Sequence, residues 1–504
     1  MTFSPNIIPT YEEIANTINE GKHALVWTKI VSDMETPVSA MRKLIKKGEA
    51  SFLLESVHGG EMRGRYSLLG LYPDRIWRCH KNKAQYCNLE ESTAFHPIEG
   101  NVMESLNEEI ASISMELPEH IPSLAAGLIG YFGYDMIKHI EPVAHQNPDI
   151  INIPDACLMR PRLTLIFDAV DGVLYACSPI WQKEKNDVQA SYDTAVALIT
   201  DTLHAMQHTP IQEHYFDPDL YAPLDFTSNM TREAYHHMVH KAQEYIKAGD
   251  IFQVVPSQRF TADFDAHPFH LYRALRYRNP SPFLFYLNMQ DFSLVGSSPE
   301  ILVRLRDDIV TIRPIAGTRV RGNTAQEDDA LAKELLTDEK EIAEHLMLLD
   351  LGRNDVGRAA AHGTVKVTEH MTIERYSHVM HIVSNVEGKK HPTASAIDCL
   401  MSGFPAGTVS GAPKIRAMNI IDELEPCTRS FYAGAVGYFS ASGWMDTCIT
   451  LRTALIKDGK IHVQAGGGVV ADSDAEAEYQ ESCNKAKAVQ SAAALATQLK
   501  GNAP

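Results

Sequence analysis

The sequence predicts an α+β fold built from large, mostly antiparallel sheets with flanking helices. Three observations carry that prediction. β-rich runs arrive in consecutive groups, helical stretches arrive in pairs between those groups, and a chain of 504 residues is long enough for more than one packed core.

Taken in order, residues 25 to 180 hold the runs HALVWTKIV, SFLLESV, LTLIFDAV and GVLYACSPI, which read as strands. HGGE and GYFGYD read as turns, and VSAMRKLIKKG as a helix. Residues 211–230 contain prolines and little periodicity, so they read as a linker between regions 1–210 and 231–504. The second region opens on a helix. Thr231 caps it, Tyr235, Met238, Ala242, Tyr245 and Ile246 recur at helical spacing, and Gly249 closes it. His236, His237 and His240 ride on this helix as a solvated face. FQVVPSQRF, FLFYL, SLVGSSPEILVRL and TIRPI follow as strands. DDALAKELL and DEKEIAEHLMLLDLGRND are helical, the second starting on a capping box from Asp338 to Glu341. YAGAVGYF, MDTCITLRTALI and KIHVQAGGGVV return to strand, before the long helix AEAEYQESCNKAKAVQSAAALATQL.

Composition narrows the function. Hydrophobic residues make up 44% and charged residues 22%, as in ordinary globular proteins. No apolar run approaches the roughly 18 residues that span a bilayer, and the N-terminus lacks a basic segment followed by an apolar one, so a cytoplasmic protein is expected. The net charge of −18 argues against nucleic acid or anionic membrane as the main partner. An anionic ligand therefore needs local Arg, Lys or metal. The eight cysteines show no C-x-x-C spacing and read as reduced structural thiols.

Against that background the glutamates stand out. Glu341 and Glu344 lie one turn apart on a helix that runs on as LMLLDL, and Glu478 and Glu481 repeat the device on the last helix, beside Lys485. Spacing alone fits solvated helix charge. The apolar continuation of one pair and the lysine beside the other favour a shared hard cation such as Mg²⁺. Glycine-rich turns recur at PIAGT, GFPAGTVSGAPK and AGGGVV. The middle one is no nucleotide loop, because Lys414 follows Pro413 and Ile415 replaces the metal-binding Ser or Thr. AGGGVV allows backbone N–H groups to approach a carboxylate, or is a simple tight turn. Arg452 sits in an apolar strand and needs an anion, either an internal carboxylate or a ligand. His381 lies on a similar run and reads equally as a core histidine, and Glu300 as a cleft carboxyl or a surface cap.

PIAGTRVRG, DEKEIAEHLMLLDLGRNDVGR, ERYSHVMHIVS, FPAGTVSGAPKIRAM, YAGAVGY, ITLRTAL, QAGGGVVADSD and EYQESCNKAKA closely resemble the chorismate-utilising enzymes, in order, across residues 225 to 495. The resemblance implies a Mg²⁺-dependent lyase that converts chorismate and ammonia to anthranilate and pyruvate. It makes 231–504 the chorismate-binding region, with Glu344 and Glu481 as direct metal ligands and Glu341 and Glu478 holding metal-bound waters. Gly317, Thr318, Tyr432, Arg452, Gly466, Gly468 and Lys485 would contact chorismate, and Glu300, His381 and Thr318 would serve catalysis. Gln253 stands where isochorismate-forming members carry a water-activating lysine, and Ala316 where many aminodeoxychorismate-forming members carry another. Anthranilate is thus the expected product, with the aminodeoxychorismate branch as the alternative. LLES at 53–56 and NPSPFL at 279–284 resemble the family's tryptophan feedback pocket, making 1–210 regulatory, with Ser56, Pro282, Phe283 and Leu284 lining the pocket. No cysteine lies in the G-x-C-x-G setting of a glutaminase, so a glutamine amidotransferase partner is expected to supply the ammonia in a hetero-oligomer.

Overall fold

A computed structural model describes residues 5–46, 48–56, 64–144, 146–182, 187–211, 215–219, 222–376 and 379–499. The expected HGGE turn lies outside them. Among the described residues, twenty-one strands hydrogen-bond into one sheet whose pairings are antiparallel, as the grouped β-rich runs predict. Helices flank the sheet, which confirms the α+β reading.

Register explains how distant segments meet. The strand Phe283–Asn288 pairs on one side with Ser51–Glu55, placing Leu284 opposite Glu55. Its other side pairs with Phe292–Ser298, placing Phe283 opposite Ser298, two residues before Glu300. Ala435–Ser440 likewise joins Gly127–Phe132 to Met445–Ile449. The two large apolar clusters each draw residues from both sides of 211–230: one contains Trp77, Phe132, Phe285 and Phe404, the other Val26, Leu165, Tyr272 and Val463. Each fully buried side chain of this size contributes about 1.5–3 kcal/mol, so the halves stabilise each other.

Local chemistry fixes the helices that matter. Thr231 caps Arg232–Ala248 by accepting from Ala234 N, and the helix ends on Gly249 at φ 84°. The helix Glu339–Ala359 starts on Asp338, which accepts from Lys340 N and Glu341 N. The cap is one-sided, because the Glu341 carboxylate turns instead to Arg319 Nη1 at 3.3 Å. The last long helix, Ala475–Ala496, is capped by Asp474 and buries Ala486 and Ala492 to Ala496. Those small side chains let it pack closely on Pro268–Arg278, a helix the periodicity did not suggest.

Three expected elements differ in detail. GYFGYD is not one turn: Gly130 to Phe132 finish a strand and Tyr134 opens a 3-10 helix, Tyr134–His139. FQVVPSQRF is split into Gln253–Val254 and Ser257–Asp263, since Pro256 has no N–H to donate to a ladder. ITLRTAL is split as well, and Arg452 occupies the break at φ 48°, outside both flanking strands. All eight cysteines are free thiols, seven of them buried. No helix among the described residues is long and apolar enough to cross a membrane.

Candidate active site

A buried ion pair anchors the floor of the site. Arg429 and Glu425, both almost inaccessible, bond at 2.6 Å. Arg429 also donates to the carbonyls of Val409 and Val255, and Glu425 accepts from Ser257 N at 2.8 Å. One guanidinium thus ties together the GFPAGTVSG segment, the QVVPS segment and the loop leading to Tyr432. Removing either partner strands a buried charge, at a cost of about 3–5 kcal/mol. Tyr432 is buried 5.5 Å from the Arg429 guanidinium, and burial pushes its hydroxyl up to about 12.

Gly317 forms a bulge between the strands Ile315–Val320 and Val379–Lys389, at φ 71°, a conformation that favours glycine. The bulge directs the Gly317 carbonyl oxygen at His381 Nδ1, 3.0 Å away, while the exposed Thr318 hydroxyl stands 3.1 Å from the same nitrogen. Gly317 O accepts only, so Nδ1 carries the proton and Nε2 is left as an acceptor. Burial and the positive charge of Arg452 hold His381 below its ordinary range, partly opposed by the Gly317 bond, so the ring is neutral near pH 7.

Glu300 keeps some exposed surface, but protein surrounds its carboxyl group, and burial raises its pKa to about 8. Two neighbours oppose the rise: the Thr408 hydroxyl, which donates to Oε1 at 3.1 Å, and the charge of Lys485. The Lys485 ammonium bonds Glu481 at 2.7 Å and Gly466 O at 3.0 Å. Gly468 lies against the amide of Gln253. Arg452 has no described carboxylate in ion-pair range, and burial lowers its pKa; a guanidinium stays charged all the same. Of its two possible partners, the internal one is therefore missing among the described residues.

The two acidic pairs converge. Glu344 is raised first by burial and then by the charges of Glu341 and Glu481, with Lys340 and Lys485 opposing. Glu478 is raised by burial and by Glu481; its Oε1 accepts from Ser473 at 2.8 Å, while its Oε2 is buried without a donor. Gly467 lets that Oε2 lie against the backbone, since a Cβ there would stand 2.6 Å from it. No three of these glutamates bring one oxygen each within 4.8 Å of one another, and the charges of Glu341 and Glu481 both act against ionisation of Glu344. Hard carboxylate oxygens, mutual repulsion and an undonated buried acceptor fit a divalent cation.

The structure thus gathers Glu300, Gly317, Thr318, Glu341, Glu344, His381, Arg452, Gly466, Gly468, Glu478, Glu481 and Lys485 into one linked set, with Tyr432 on its floor. His345, beside Glu344 in sequence, points away: it is fully buried, bonds Ser384 at 2.7 Å, and burial lowers it to about 4. Lys414 is spent on Asp355 at 2.9 Å in the interior, in keeping with the rejected nucleotide loop. Thr408 and Tyr376 escaped the motif reading. The Tyr376 ring stands 5.6 Å from that of His381, and its hydroxyl donates to Glu374. Thr408 lay within GFPAGTVSGAPK, but nothing in the string shows which hydroxyl meets Glu300. Ser56, Pro282, Phe283 and Leu284 line a cavity of about 180 Å³, which also reaches Arg313 and Tyr376.

Comparison with known proteins gives the same direction. The family model described as chorismate binding enzyme matches residues 61–491. Anthranilate synthase component 1 of Cereibacter sphaeroides is 52% identical over 487 residues, covering 96% of this chain and 97% of the relative. The protein of that name from Aquifex aeolicus is 43% identical, covering 97% and 99%. The crystal structure of anthranilate synthase component I from Streptococcus pneumoniae superposes with a TM-score of 0.76 at 36% identity, covering 92% of this chain and 99% of that one. The Escherichia coli isochorismate synthase MenF shares the fold, with a TM-score of 0.69 at 18% identity, covering 96% and 98%.

Proposed function

Since the chain belongs to the chorismate-binding enzyme family, we propose that it converts chorismate and ammonia to anthranilate and pyruvate, with Mg²⁺, as the large component of a two-part synthase. The observation that carries this reading is Arg452, a half-buried guanidinium with no carboxylate partner among the described residues, whose charge acts on His381 while that of Lys485 acts on Glu300. Chorismate is a dicarboxylate, and in a chain of net charge −18 Arg452 offers a local positive charge that no described carboxylate neutralises.

Glu344 and Glu481 would hold Mg²⁺ directly, with Glu341 and Glu478 on its hydration water, and the ion supplies positive charge for a substrate carboxylate. The protein side chains do the rest. Arg452 and Lys485 orient the substrate, with Tyr432 beneath it and the Gly466 to Gly468 backbone close by. Glu300, protonated at neutral pH, donates to the C4 hydroxyl, which leaves as water while ammonia bonds C2. Thr408 occupies Oε1, so Oε2 carries the proton to be given up. Neutral His381, with Nε2 left to accept, takes the C2 proton as the C3–O bond breaks and the ring becomes aromatic; the enolpyruvate that leaves takes a proton at its methylene carbon to become pyruvate. Gln253 and Ala316 supply neither the water-activating base nor the nucleophile of the alternative branches.

Ammonia would reach the site from a glutamine amidotransferase partner. Mixing the pure chain with chorismate, Mg²⁺ and ammonium should produce anthranilate fluorescence, and glutamine in place of ammonium should produce none. Aminodeoxychorismate as the product would sink the assignment. Tryptophan is the proposed inhibitor, bound in the cavity of Ser56, Pro282, Phe283 and Leu284. Ser56→Phe overfills that cavity and should weaken tryptophan inhibition by roughly 10- to 100-fold, while turnover without tryptophan is retained. Unchanged sensitivity in an inhibition titration would move the effector elsewhere.

A further inference from the structure

A second polar cluster lies among the N-terminal strands. Cys79 is the penultimate residue of the strand Tyr66–His80, and His139 ends the 3-10 helix Tyr134–His139. Asp155 immediately precedes the strand Ala156–Asp168, whose first residue pairs with Cys79. Among the described residues, these three form the one group of His, Cys, Asp or Glu side chains whose ligand atoms all lie within 4.8 Å of one another.

The separations match a metal polyhedron. Cys79 Sγ is 3.6 Å from His139 Nε2 and 3.9 Å from Asp155 Oδ2. Zinc bonds of about 2.3 Å to sulfur and 2.0–2.1 Å to nitrogen or oxygen, set at the tetrahedral angle, place such ligand atoms about 3.6 Å apart. The Cys79–His139 edge therefore fits as it stands, the Cys79–Asp155 edge needs a few tenths of an ångström, and the His139–Asp155 edge lies within 4.8 Å. The backbone holds the arrangement: Asp155 N donates to Cys79 O at 2.7 Å, and Gly133 N donates to Asp155 O at 2.6 Å. Cys79 is buried, while His139 and Asp155 are half-buried, so two of the three side chains keep contact with solvent.

We propose that Cys79, His139 and Asp155 form a zinc site, with a water molecule as fourth ligand. Thiolate, imidazole and carboxylate are the donor set that zinc favours, and none of the three takes part in the acid–base chemistry above. On binding, the S–H bond of Cys79 breaks, its electron pair forms the zinc–sulfur bond and the proton passes to bulk water. Thiolate and carboxylate together then neutralise the ion. The Lys138 ammonium, 3.4 Å from Asp155 Oδ2, competes for the same carboxylate and must yield. The ion would clip the 3-10 helix to the sheet. Tyr134 N on that helix donates to Ser430 O at 2.8 Å, and Asp135 accepts from Ser430 N at 3.1 Å, so the clip supports the loop that leads to Tyr432.

The full chain, reduced and stripped of metal, should be titrated with Co²⁺ and then with Zn²⁺. One equivalent of Co²⁺ should give thiolate-to-cobalt charge-transfer absorption, which Zn²⁺ removes stoichiometrically; carboxylate-bound cobalt at the glutamates gives no such band. Cys79→Ser should abolish the band. His139→Asn, at a half-exposed position that leaves the core intact, should weaken Zn²⁺ by more than the roughly 10- to 100-fold that loss of an outer-shell partner costs. Lys138→Met should tighten binding, because it removes the competing cation. No band, a band that survives Cys79→Ser, or an unchanged Zn²⁺ affinity in His139→Asn would overturn the proposal.

Discussion

Glu300→Gln is expected to lower kcat by about 10²- to 10⁴-fold, the usual contribution of a positioned general acid, with the KM for chorismate little changed. Glutamine keeps the shape of the side chain and the capacity to accept from Thr408, and loses only the proton. Because the carboxyl is held near 8 by burial, the wild-type rate should fall as pH rises through 8, and that limb should be missing from the residual activity of the variant. Thr408→Val should move the limb to higher pH, since the Thr408 hydroxyl now lowers the pKa of Glu300. Linkage gives a companion sign. Between its ordinary value of 4.5 and about 8, the native carboxyl holds a proton that the unfolded chain has released, so this group makes stability fall with rising pH over that window. Initial rates of anthranilate formation at saturating chorismate, taken across pH, would check the kinetic claims. Retention of near-wild-type kcat by Glu300→Gln would remove Glu300 from its role.

The second large effect belongs to the acidic pairs. Glu344→Gln should reduce activity at a fixed, low Mg²⁺ concentration by about 100-fold or more, with partial recovery at high Mg²⁺, if Glu344 is a direct ligand as proposed, because weaker binding forfeits the several kcal/mol of charge stabilisation the ion would supply. The same change should raise the melting temperature of the metal-free protein, since burial and the neighbouring Glu341 and Glu481 make the native site an unfavourable place for that carboxylate. Activity and stability therefore move in opposite directions, which a merely damaged fold cannot reproduce. Glu478→Gln, one layer further out, should weaken Mg²⁺ by roughly 10- to 100-fold. Activity against Mg²⁺ concentration, together with melting curves in chelator, separates these outcomes. Undiminished turnover by Glu344→Gln in trace Mg²⁺ would place the cation elsewhere.

Much of this was legible in the residues and some was not. The capped helix Arg232–Ala248 could be read directly, because Thr231, the periodic apolar face and Gly249 act within one short segment. The split of ITLRTAL around Arg452 could not. A left-handed φ at an arginine is strained locally and is tolerated only because the surrounding sheet fixes it, so the string read as one strand. The same limit explains Thr408 and Tyr376. Each sits in a segment whose resemblance to a family was evident, but the meeting of Thr408 with Glu300 joins residues 108 positions apart.

By itself the sequence determined the α+β class, the two acidic pairs, each on one face of its helix, and the identity of the charged and glycine residues, because periodicity and side-chain chemistry are local properties. The tertiary structure decided which of those groups share a space. It set the Gly317 bulge against His381, left Arg452 without a carboxylate partner among the described residues, sealed His345 and Lys414 away, and brought the strand Ser51–Glu55 beside Phe283–Asn288. Those outcomes follow from antiparallel register and from burial, which set distances and desolvation between residues far apart in the chain.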